Sequence, residues 1–188
     1  MPFLSSDSSS SSTEDVSSPF QQQLEPLDLH FWSTADECDE NVKKTRWIVA
    51  LKPRTVRKVT IEGSFADCIG PQLLGEMIRN LGRLQISTLV LDQVCVDPDD
   101  LACLMRESSC SLQTITLQRI RFRDETRNNI KHLAQALGTC RILERFTWQG
   151  FAGLQSVRWL RPSYQLLVET LVHVPYVSFR SKIDTTSP

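Results

Sequence analysis

No apolar run in this chain approaches the ~20 residues needed to cross a bilayer, so the sequence offers no membrane-spanning candidate. The segment from Met1 to Phe20 lacks a basic start followed by an apolar stretch, which argues against a secretory signal. No Asn-x-Ser/Thr glycosylation acceptor occurs. Glycine is scarce and scattered, seven residues in all, and neither a phosphate-cradling loop nor a dinucleotide fingerprint appears. The six cysteines, Cys38, Cys68, Cys95, Cys103, Cys110 and Cys140, include no Cys-x-x-Cys pair and have no histidine at zinc-ligand spacing. They read as reduced side chains packed like small apolar residues in a cytoplasmic or nuclear protein. Net charge is −1, so no global field draws nucleic acid or an anionic membrane. His30, His132 and His173 are far apart in sequence and have no Ser, Asp or Cys partner at a recognised spacing. The expectation is a non-enzymatic protein with no catalytic residue, no cofactor and no metal.

What is present is an ordinary globular composition, 40% hydrophobic and 23% charged, on 188 residues. That length suits one domain with a sizeable core. Residues 1–20 are dominated by serine and cannot bury enough apolar surface to offset their ordering entropy, so they read as a disordered tail. Ser11 and Ser12 each have an acid three residues downstream, Glu14 and Asp15, the spacing an acid-directed kinase reads. The simpler reading is a solvated tail without regulation. Residues 21–182 then form the folded unit, and residues 183–188 a flexible end.

Inside that unit a pattern recurs, apolar-x-x-apolar-x-apolar. It appears at Leu24–Leu29, Val56–Ile61, Ile86–Leu91, Leu112–Leu117, Leu143–Trp148 and Val174–Phe179. Taking the fourth residue of each piece as a mark, the steps are 32, 30, 26, 31 and 31 residues. Period-two alternation at the end of each piece predicts a half-buried strand. Helical patterns lie between them. Trp47, Ile48 and Leu51 form one, and Leu73, Leu74, Met77, Ile78 and Leu81 another. Leu101, Leu104 and Met105 follow, then Ile130, Leu133, Ala136 and Leu137, then Leu166, Leu167, Leu171 and Val172. Asp97-Pro98-Asp99-Asp100, Gly70-Pro71 and Arg161-Pro162-Ser163 read as helix starts. Gly82 and Gly138 read as stops.

A strand-then-helix unit of about thirty residues, repeated, implies parallel strands joined by right-handed crossovers. The pattern resembles the leucine-rich repeat family, in its helix-containing ribonuclease-inhibitor-like class. The resemblance covers residues 24–179. It implies an α/β solenoid of about six repeat strands, curved, with a parallel sheet on the concave side and helices on the convex side. The chain departs from the family where Asn or Cys is usual, three positions after the last strand apolar residue. Those positions hold Trp32, Ser64, Val94, Ile120, Phe151 and Lys182.

The resemblance also implies a protein-interaction module that binds a protein partner through outward strand residues. Carried onto this sequence, the binding set is Asp28, His30, Lys58, Glu62, Asp92, Gln118, Arg145, Gln149, Tyr176 and Arg180. The marks above place Asp28 in line with Thr60, and His30 in line with Glu62. The face then runs from acidic at Asp28, Glu62 and Asp92 to basic at Arg145 and Arg180, with threonines in its centre. Trp148 falls on an inward mark and Trp47 on an apolar helical face, while Trp32 and Trp159 are the better interface candidates. Two alternatives compete. Some proteins of this family are substrate-recognition subunits of ubiquitin ligases, although residues 1–23 hold no adaptor-binding helix. Separately, Lys43, Lys44, Arg46, Lys52, Arg54, Arg57 and Lys58 crowd into residues 43–58 and could meet nucleic-acid phosphates. No stacking aromatics are interleaved with them, which favours a solvated face.

Overall fold

A computed structural model describes residues 27–33, 38–50, 56–63, 71–123, 126–150 and 162–181. Strands and helices alternate along them. The order is β1 (Leu27–Ser33), α1 (Cys38–Ala50), β2 (Val56–Gly63), α2 (Pro71–Gly82), β3 (Ile86–Asp92), β4 (Cys95–Val96), α3 (Pro98–Glu107) and β5 (Thr114–Gln118). It continues with β6 (Arg121–Phe122), α4 (Arg127–Thr139), β7 (Arg145–Gly150), α5 (Pro162–Thr170) and β8 (Tyr176–Ser181), with one 3-10 turn at Leu171–His173 before the last strand.

Six strands form one sheet in the order β1-β2-β3-β5-β7-β8. Every neighbouring pair is parallel. The order never reverses, so each unit contacts the unit before it and the unit after it. The alternation seen in the sequence is the burial pattern: β5 reads half-buried, buried, half-buried, buried, half-buried. Leu89, Leu91, Ile115, Leu117 and Phe146 are fully buried on the inward side. The helices pack in sequence order, α1 on α2, α2 on α3, α3 on α4 and α4 on α5. Met77, Ile78, Leu81, Leu101, Leu104, Met105, Leu133 and Leu137 close one continuous core with the strands.

The start signals act as their chemistry requires. The Asp97 carboxylate accepts from the Asp99 N–H at 2.8 Å, and Pro98 occupies the first helical position of α3, where its missing N–H costs nothing. Thr126 caps α4 by accepting from the Asn129 N–H at 3.2 Å. α2 and α5 begin at Pro71 and Pro162. Polar contacts then staple neighbouring helices. Arg46 pairs with Glu76, the Asn80 amide donates to the Thr45 hydroxyl at 3.3 Å, and Arg79 meets Asp100 at 2.5 Å.

The helical faces read from sequence need three corrections. Trp47 is 64% exposed, and Val42, Thr45 and Ile48 make the buried face of α1 instead. On α5 and its following turn, Leu166 and Val172 point outward while Tyr164, Leu167 and Leu171 are buried. In each case a helix of two or three turns offered two overlapping apolar stripes, and packing against the neighbouring helix selected one. Leu51 and Trp159 lie outside the described residues, and of the side chains of Leu73, Leu74 and Trp32 nothing is described.

The cysteine reading can be tested directly. Cys95, Cys103, Cys110 and Cys140 are free thiols. Cys110 is exposed, whereas Cys140 is buried and burial pushes its thiol up to about 11. The thiolate is the reactive form. Brief iodoacetamide treatment at neutral pH is therefore expected to alkylate Cys110 and spare Cys140 until denaturant is added. Equal labelling of the two in native protein, read by mass spectrometry, would contradict this packing.

Candidate functional site

The face of the sheet opposite the helices carries three lanes of residue positions, one from each strand per lane. Their alignment follows the observed register, which differs from the sequence reading at β1. Leu29 pairs with Val59, His30 with Thr60 and Phe31 with Ile61. The mark for the first unit is thus Leu29 rather than Leu27, two residues further on. Leu27, Leu29 and Phe31 alternate, so two registers fit the same period. The observed one buries Phe31 and leaves Leu27 exposed. A shift of two preserves which side chains face outward, so the face survives while the lanes change.

The first lane is Asp28, Lys58, Thr88, Thr114, Arg145 and Tyr176. Running through the centre are His30, Thr60, Val90, Thr116, Thr147 and Ser178. The third lane holds the positions of Trp32, Glu62, Asp92, Gln118, Gln149 and Arg180. All ten residues of the expected binding set therefore sit on one face. Asp28 joins Lys58 rather than Thr60, and His30 joins Thr60 rather than Glu62.

Guanidinium and imidazole side chains cover the acidic end expected from sequence. The pairing of β1 with β2 is irregular between Leu27 and Asp28, and Arg57 falls opposite that irregularity. Its guanidinium grips both Asp28 oxygens, at 2.9 and 2.6 Å. His30 Nε2 lies 3.5 Å from a Glu62 oxygen. Asp92 accepts two hydrogen bonds from Arg119, at 2.9 and 2.5 Å. Arg119 stands one residue past its strand, in a position no alternation marks. At the other end the Arg145 guanidinium sits 4.5 Å from the centre of the Tyr176 ring, a cation–π stack on an exposed surface.

The Arg57 contact sets a pH expectation. The hydrogen bond from Arg57 holds the Asp28 carboxyl below its ordinary value, assisted by the nearby positive charges of Arg57 and Lys58, while desolvation acts the other way. A lowered folded value means the contact is complete above the ordinary carboxylate range and is lost as pH falls through the lowered value. A carboxyl-carbon NMR titration should show Asp28 titrating below an ordinary aspartate. Arg57→Gln should move the midpoint up. An unchanged midpoint in that variant would remove Arg57 as the cause.

The strand ends are built by a device the sequence does not announce. Gln93 and Arg119, each just after its strand, adopt positive φ of 55° and 48°. The chain turns there and backbone bonds link successive turns, Gln93 N–H to Gln118 O at 3.0 Å and Arg119 N–H to Gln149 O at 2.7 Å. Beyond the turns β4 and β6 form a second, two-stranded parallel sheet. Val94 and Ile120, where the resembled family has Asn or Cys, are buried in the core. Apolar packing and main-chain bonds hold these corners.

The basic residues of the 43–58 segment that the structure describes do not converge. Lys43 and Lys44 are exposed on α1, Arg46 is tied to Glu76, Arg57 is tied to Asp28, and Lys58 stands on the open sheet face. Lys52 and Arg54 lie outside the described residues. The histidines are dispersed as well. His132 Nδ1 approaches Asp99 at 2.9 Å between α4 and α3, and both ring nitrogens of His173 face backbone carbonyls. Among the described residues no group of three or more His, Cys, Asp or Glu side chains could hold a metal ion, and no helix is long and apolar enough to cross a membrane. No family model, characterised protein or solved structure significantly matches this chain.

Proposed function

We propose that this chain is a non-catalytic protein-interaction module, built as a leucine-rich-repeat-like solenoid of the ribonuclease-inhibitor-like class, and that it binds a protein partner on its open strand face. The supporting observation is the three-lane face itself. Six parallel strands in unbroken order present eighteen positions in register, all on the side away from the helices. Such a surface can receive an extended or convex partner along its whole length. The threonines at its centre suit exposed strand positions and leave room for a partner to approach the backbone. The charge pairs at Asp28 and Asp92, with Glu62 beside the His30 ring, would orient a partner more than drive its affinity.

The experiment introduces bulk and charge at the middle of the face. Tagged protein is purified from its native cells beside Thr116→Arg and beside Lys131→Glu on the exposed side of α4, with circular dichroism verifying that both variants fold. The proposal expects co-purifying protein to be lost with Thr116→Arg and retained with Lys131→Glu. Retention with Thr116→Arg and loss with Lys131→Glu would move the binding site to the helices and overturn the strand-face reading.

A further inference from the structure

The near-zero net charge conceals a strong separation along the chain. The first forty-two residues contain nine acidic side chains and no Lys or Arg, the first of which is Lys43. The remaining residues contain twenty-one basic and thirteen acidic side chains. Residues 1–26 alone contribute Asp7, Glu14, Asp15 and Glu25.

The first lane of the open face is the part of the described structure that fits this segment. Asp28 is satisfied by Arg57. That leaves Lys58, whose charge also acts on the neighbouring Asp28, and Arg145 as the lane's cations with no ion-pair contact among the described residues. Thr88 and Thr114 stand between them, one on each intervening strand, and their hydroxyls can donate to carboxylate or main-chain oxygens. Position matters as much as charge. This lane lies at the starting rim of the strands, and the chain enters the described structure at that same rim, at Leu27 of β1. Crossing from β1 to β7 takes four strand spacings of ~4.8 Å, roughly 19 Å. The twelve residue-to-residue steps from Asp15 to Leu27 can extend to about 40 Å. The reach is therefore sufficient with slack.

We propose that the acidic, serine-rich segment 1–20 folds back across the first lane, with the Glu14 and Asp15 carboxylates on Lys58 and Arg145, and so occupies part of the partner-binding face until a partner displaces it. This regulation rests on the strand-face reading above. It implies that the competing partner presents carboxylates or phosphates to the same two cations. A phosphate on Ser11 or Ser12 would add roughly two negative charges beside Glu14 and Asp15 and tighten the contact.

The test is zero-length carbodiimide cross-linking of the whole 188-residue chain, followed by peptide mass spectrometry of the monomer band. The reagent joins only an amine and a carboxylate already in contact. The expected result is an amide between Lys58 and Glu14 or Asp15. It should be weakened several-fold by Arg145→Gln, and weakened again in about 0.5 M salt, where screening shortens the reach of exposed charges. Links from Glu14 and Asp15 to Lys43 or Lys44 with none to Lys58 would overturn the proposal. So would a Lys58 link found only in cross-linked dimers, or no Lys58 link at all. Those failures would leave the partner-binding reading standing, because the Thr116→Arg comparison measures an external partner and involves neither cation of the first lane.

Discussion

Trp148→Ala is expected to remove about 3–5 kcal/mol of folding stability, the usual cost of deleting a large buried aromatic. Domains of this kind have about 5–15 kcal/mol in total. The ring is 2% exposed and stands on the inward side of β7. It meets Phe122 of β6 edge-on at 5.5 Å, Phe146 at 6.4 Å and Tyr164 of α5 at 5.9 Å. One side chain thus joins the main sheet, the small sheet and the last helix. Each such aromatic pair adds roughly 0.5–1.5 kcal/mol beyond area burial, so the loss should fall toward the upper end of the range. Trp148→Phe keeps an aromatic ring in the site and should cost clearly less. Urea unfolding followed by far-ultraviolet circular dichroism measures both. A loss below about 1 kcal/mol for the alanine variant, typical of a surface change, would mean that Trp148 does not hold these three elements together.

The second large effect is predicted where the sequence suggests a harmless change. Gly63→Val places a β-branched residue, normally favoured in strands, at the end of β2. It should nevertheless destabilise by about 1–3 kcal/mol through overpacking. A Cβ at residue 63 would lie 2.7 Å from the Gln93 carbonyl oxygen and 3.0 Å from a Val94 methyl. Neither neighbour can readily yield. Gln93 holds its φ of 55° while its N–H bonds the Gln118 carbonyl at 3.0 Å, and Val94 is buried. Gly63→Ala meets the same carbonyl with less bulk and should lose less. Thermal unfolding of the two variants against the parent gives the ranking, and a Gly63→Val protein as stable as the parent would show that the turn at Gln93 shifts freely.

Much of the architecture was legible in the chain because short-range rules act on single residues. The apolar spacing of Val56–Ile61, Ile86–Leu91 and Leu112–Leu117 marks strands whose alternate side chains must be buried, and they are. Asp97-Pro98 starts a helix because a carboxylate satisfies an orphan N–H and proline lacks one. Apolar helical positions at Met77, Ile78 and Leu81 likewise prescribe a buried stripe. Outward strand residues could be named as a group for the same reason, since alternation fixes the side of the sheet.

What alternation cannot fix is alignment between strands. Leu27, Leu29 and Phe31 satisfy period two in either of two registers, and only burial of Phe31 beside Ile61 distinguishes them. That choice moved Asp28 next to Lys58 and His30 next to Thr60, and it set Arg57 against the Asp28 carboxylate. The sequence likewise carried no signal for Arg119 closing on Asp92, twenty-seven residues away, nor for the left-handed turns at Gln93 and Arg119 that bring it there. By itself, then, the sequence determined the alternating strands and helices, the parallel α/β class and the side of the sheet on which each strand residue stands, because periodicity and capping are local. Tertiary structure alone decided the register of β1, the buried stripe of α1 and the pairing of charges across the face. Those depend on which distant surfaces compete to be buried, and no local pattern encodes the outcome.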